Sequence, residues 1–141
     1  MILMIWSIIF TLILVGASIK IHGLALAYLS RIKVKKFVYC DFAKISFVLI
    51  TSHLIQICLF AIYYQYIFEL YPNMNFFEGK LEGTFLDFFY YSANCYTTLG
   101  TGDIFVNGPL RITTGLEALI GLVLIAWTAT FKLSYLFKNK N

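Results

Sequence analysis

Three long apolar runs divide the chain, and the stretches between them are short and unevenly charged. Met1 to Ile19 carries no charge, and after Lys20 and His22 the apolar character resumes from Gly23 to Leu29. That pattern predicts one tilted transmembrane helix over 1–30, with Lys20 snorkelling or facing protein. A cleaved leader ending near Ala25-Leu26-Ala27 is the rival, and it fails for want of a basic residue ahead of an overlong apolar core. Residues 31–44 form a basic connection, with Arg31, Lys33, Lys35, Lys36 and Lys44 against Asp41. The second span covers 45–70, and Ser52 and Gln56, one turn apart, predict hydrogen bonds to neighbouring helices. The roles of His22 and His53 stay open. A polar loop follows over 71–83, broken by Pro72, Asn73, Asn75, Gly79 and Gly83. Residues 84–96 predict a short helix that enters the membrane without crossing it, opened by a capping box of Thr84 and Asp87. After a Gly-punctuated run over 97–103 and the turn at Asn107-Gly108-Pro109, the third span covers 111–136, and from Ile112 on its apolar run is broken only by Glu117 and Lys132.

Composition turns this pattern into a class. The chain of 141 residues is 60% hydrophobic and 13% charged, against about a quarter charged in a soluble domain. It reads as an integral membrane protein whose partner is the lipid bilayer. Its net charge of +4 is not a nucleic-acid footprint, because the basic residues cluster in 31–44 and beyond 131 while Glu69, Glu78, Glu82, Asp87 and Asp103 share the other side. The basic ends read as cytoplasmic, giving an N-terminus outside and a C-terminus inside. Cys40, Cys58 and Cys95 are too scattered for a metal site or an evident disulfide. Gly100-Thr101-Gly102 lacks the third glycine and the preceding strand of a dinucleotide fingerprint, and nothing places a nucleophile or base beside Asp87, Asp103 or Glu117. No enzymatic activity, cofactor or small-molecule substrate is expected.

The chemistry lies in Thr97-Thr98-Leu99-Gly100-Thr101-Gly102-Asp103. Backbone that leaves the helix at membrane depth is tolerated only where it is buried in protein or lines water. Glycines alternating with other residues let successive carbonyls point one way, and a ring of such columns replaces the hydration shell of a cation. Tyr90 to Asp103 resembles the pore helix and selectivity filter of the potassium channel superfamily, in the manner of small bacterial ion channels with a single pore loop. Six of the seven positions of the pattern Thr-Thr-Val/Leu/Ile-Gly-Tyr/Phe-Gly-Asp match in register, and Thr101 departs from it.

The resemblance implies an all-α membrane protein of three transmembrane helices, a re-entrant pore helix and a filter, assembled as a homotetramer in a bacterial inner membrane. It implies K⁺ as the permeant ion, held by Thr98, Leu99, Gly100 and Thr101, with Gly102 completing the filter, Leu99 packing outward and Asp103 at the pore mouth. Tyr90, Tyr91, Asn94, Tyr96, Thr97 and Glu117 would support the filter, and Gly121 is a candidate hinge. Thr101 leaves selectivity open: the smaller residue allows either a K⁺ filter held by other side chains or a wider, non-selective one. A non-conducting subunit with a pore-like fold is the third reading.

Overall fold

The computed structural model describes residues 2–31 and 39–138. In chain order they form α1 (Ile2–Ser30), α2 (Tyr39–Leu70), β1 (Phe77–Gly79), α3 (Phe85–Tyr96), β2 (Ile104–Val106) and α4 (Leu110–Lys138). Three helices are long and apolar enough to cross a membrane, over Leu3–Ser30, Asp41–Leu70 and Leu110–Tyr135. The short α3 packs against both α2 and α4, and α1 lies against the same two helices.

Two features differ from the sequence expectation. α2 begins at Tyr39, six residues before the apolar run, because no Gly or Pro lies between 39 and 45 to stop it. Asp41 in its first turn also suits a helix N-terminus. The basic connection is thereby shortened, and its Lys33, Lys35 and Lys36 lie outside the described residues. The architecture is also not wholly helical: β1 and β2 pair antiparallel, Phe77 opposite Val106 and Gly79 opposite Ile104. This ribbon ties the loop before α3 to the segment after the Gly-punctuated run of 97–103.

The core beneath the ribbon is aromatic. Phe77 packs edge-on to Phe88 at 5.3 Å, and Tyr64 to Tyr91 at 5.1 Å. Phe60, Tyr64 and Phe88 are completely buried, and Leu124 of α4 closes the same cluster. Between spans there is little hydrophobic drive, since lipid is as apolar as leucine, so hydrogen bonds and close packing hold helices together. Near the start of α1, Thr11 and Ser7 share the Thr113 hydroxyl at 2.8 and 3.1 Å, and Ser7 also meets Tyr63 at 3.2 Å. These bonds fasten α1 to α2 and α4 at the end nearest the ribbon.

Candidate functional site

α3 aims the site. Its N-terminus is fixed by a complete capping box: the Thr84 amide donates to Asp87 Oδ2 at 2.9 Å, and the Asp87 amide donates to Thr84 Oγ1 at 3.4 Å. The bonds that Thr84 donates to the Asp87 carboxylate hold it below the usual carboxylate range. At the other end, Thr97 caps the helix in right-handed conformation and its hydroxyl donates to the Ala93 carbonyl at 2.7 Å. The amides of Thr98 and Leu99 fold back onto Cys95 O and Asn94 O at 3.0 and 2.9 Å. The chain therefore leaves α3 directly at its C-terminus, where the helix dipole carries partial negative charge.

From there the backbone alternates. Thr98, Gly100 and Gly102 have φ of 58°, 60° and 75°, while Leu99 and Thr101 do not enter the left-handed region. For threonine that angle is unusual, and it is supported by the two amides folded back onto α3. Alternation of positive φ with ordinary backbone is the pattern that lets neighbouring carbonyls turn toward one side, as a carbonyl column needs. All residues from Thr97 to Gly102 are exposed in the single chain, and Leu99 is 69% exposed, so the chain does not itself provide the packing expected for that side chain.

Thr101 is held by a polar triangle. Its hydroxyl donates to Asp103 Oδ1 at 2.5 Å, and the Tyr90 hydroxyl lies 3.1 Å from Thr101 Oγ1 and 3.0 Å from Asp103 Oδ2. The Thr101 hydroxyl, and after it that of Tyr90, keeps the Asp103 carboxyl below its usual range. Asp103 is anchored in turn: its carbonyl accepts from the Lys80 amide at 2.9 Å. A Cβ on Gly79 would collide with that same carbonyl. Asn94, another of the residues expected to support the filter, turns instead to its own helix and donates to Tyr90 O at 2.8 Å.

Behind α3, Glu117 is fully buried and accepts from Tyr64 at 2.6 Å and Ser92 at 2.5 Å. Tyr91 meets Thr114 at 2.9 Å, a second bond from α3 to α4. Gly121 faces the end of α3, where a Cβ would run into the Tyr96 carbonyl, so its smallness has a packing reason. Tyr96 itself donates to Gln56 and meets His53 Nδ1 at 2.8 Å. His53, which had no nameable partner in the sequence, thus stands against the last residue of α3, with Thr128 on its other ring nitrogen at 2.9 Å. The available signal was the cluster Ser52, His53 and Gln56 inside an apolar span, since buried polar groups there must find partners.

No curated protein and no solved structure matches the chain. A family model described as an ion channel matches residues 44–138, about two thirds of the sequence. The matched segment runs from the first turns of α2 through α3 and the alternating backbone to the end of α4. An ion channel passes ions without transforming them, which leaves no place for catalysis, and the chain belongs to this family of integral membrane ion channels.

Proposed function

We propose that this ion channel is a K⁺-selective homotetramer, with one filter strand from each of four chains around the pore axis. The observation that carries the reading is the alternation of left-handed backbone at Thr98, Gly100 and Gly102. It orients the carbonyls of Thr98, Leu99, Gly100 and Thr101 as successive ion ligands, with the C-terminal end of α3 adding favourable potential for a cation. Asp103 concentrates cations at the mouth. The Tyr90–Thr101–Asp103 triangle supports K⁺ selectivity over a loose filter, because it fixes Thr101 where the resembling channels use a packed aromatic ring. The charge bias supports a filter facing outward and basic ends facing the cytoplasm of a bacterial cell.

The test is a reversal potential on purified protein in planar bilayers, with K⁺ on one side and Na⁺ on the other. The expected value lies near the K⁺ equilibrium potential. A clear current reversing near zero would establish a non-selective cation channel, and silence from verified tetramers a non-conducting subunit.

A further inference from the structure

Six side chains from all four helices close a ring inside the membrane-spanning region. Ser52 Oγ lies 2.9 Å from His22 Nδ1. His22 Nε2 lies 3.2 Å from Thr128 Oγ1, which lies 2.9 Å from His53 Nε2. His53 Nδ1 reaches the Tyr96 hydroxyl at 2.8 Å, Tyr96 donates to Gln56 Oε1, and Gln56 Nε2 returns to Ser52 Oγ over the longest edge, 3.5 Å. His22 and Gln56 are completely buried. Among the described residues no Asp, Glu, Lys or Arg bonds to a ring member.

With both imidazoles neutral, counting protons fixes the direction of each bond relative to the others. The Gln56 oxygen only accepts, so the single Tyr96 proton is committed to it. Tyr96 must then accept from His53 Nδ1–H. A neutral His53 has no second proton, so its Nε2 accepts from Thr128. Thr128 has thereby spent its proton and accepts from His22 Nε2–H. His22 Nδ1 is left to accept from Ser52, whose oxygen takes the Gln56 amide. Each donor is used once and each edge carries one proton. Turning the Gln56 amide over reverses the circulation and again leaves each edge with one. In either sense the two imidazoles are neutral and carry opposite tautomers.

We propose that this ring positions the filter: His22, His53 and Thr128 hold Tyr96, the last residue of α3, and through it set where the filter begins. The role rests on the channel reading above. Tyr96 is one residue from Thr97 and two from Thr98, and the ring grips it from α2 directly and from α1 and α4 through the histidines. α1 lies wholly outside the residues matched by the family model, so His22 gives this helix a part in shaping the pore. Closed rings polarise each member and are worth more than isolated pairs.

The chain holds only two histidines, so its imidazole nitrogens are directly assignable. The full chain, ¹⁵N-histidine labelled and reconstituted in lipid bilayers at neutral pH, is expected to give one Nδ1–H and one Nε2–H neutral tautomer in solid-state NMR. Two identical tautomers, or an imidazolium, would overturn the ring. Thr128→Ser keeps the hydroxyl and should keep both the tautomer pair and the wild-type reversal potential. Thr128→Val, of the same shape, should lose the pair and lower the K⁺/Na⁺ permeability ratio by roughly fivefold, the ratio that one net hydrogen bond represents. An unchanged ratio in Thr128→Val, with the pair lost, would overturn the positioning role. A non-selective wild type with the tautomer pair intact would instead overturn the K⁺ reading and leave the ring standing.

Discussion

Thr101 replaces packing with hydrogen bonding. A ring packed against neighbours holds position by area, whereas Thr101 is exposed and depends on its bond to Asp103 and on Tyr90 above both. On the proposed K⁺-channel reading, with Asp103 at the pore mouth, the consequence is a coupling between filter support and mouth charge. Because the Thr101 and Tyr90 hydroxyls hold the Asp103 carboxyl below its ordinary range, the mouth stays negative until the outer solution is more acid than a free carboxylate requires. Current should therefore be constant down through the ordinary carboxylate pKa and fall only as pH drops through the depressed one. In Tyr90→Phe one donor is gone, the Asp103 pKa rises toward its ordinary value, and the fall should move to higher pH. Single-channel current against external pH for both proteins checks this, and superimposable profiles would remove Tyr90 from the mouth. The sequence supplied the candidates, Tyr90, Tyr91, Asn94 and Tyr96. It could not choose among them, because the choice depends on how the strand after α3 folds back along the helix.

Elements were legible where their cause is local. Thr84 and Asp87 stand three apart and cap α3 as their spacing predicts, and the apolar runs became helices. The ribbon was not legible: each strand is three residues long, and the two pair across the whole of α3 and the filter. Among the glycines of α4, Gly121 was expected as a candidate hinge. Around Gly115 a Cβ meets nothing within 4 Å, whereas at Gly121 it would strike the Tyr96 carbonyl. Gly121→Ala should consequently push α4 off the end of α3 and cost about 1–3 kcal/mol, the usual range for overpacking. Gly115→Ala should cost nothing and gain up to ~1 kcal/mol of helix propensity. Chemical unfolding of the two variants in detergent measures the difference. Equal stabilities would mean that the approach of α4 to Tyr96 is loose.

At the scale of the molecule, one chain leaves its most constrained backbone bare. Thr97 to Gly102 is exposed, Leu99 stands free at 69% and Leu86 at 73%, yet irregular backbone does not face lipid. Such backbone is buried in protein or lines water, and in the proposed assembly other copies of the chain cover it. The need for cover follows from the single chain, whereas the copies and the number four follow from the resemblance, because nothing in one protomer fixes the rotation that closes a ring. If four filters meet, their carbonyls face one another at close range, and a cation between them is part of the assembly's cohesion. An ion bound to the tetramer and not to separated chains stabilises the tetramer by mass action, about 1.4 kcal/mol per bound ion for each tenfold rise above its dissociation constant. The purified protein should then run at about four times the 16.2 kDa of one chain in native mass spectrometry. Its dissociation temperature should rise with K⁺ and fall when K⁺ is replaced by a large organic cation that cannot enter the filter. Na⁺ decides between the two conducting readings: a K⁺ filter leaves Na⁺ close to the organic cation in effect, whereas a wide filter makes K⁺ and Na⁺ equivalent.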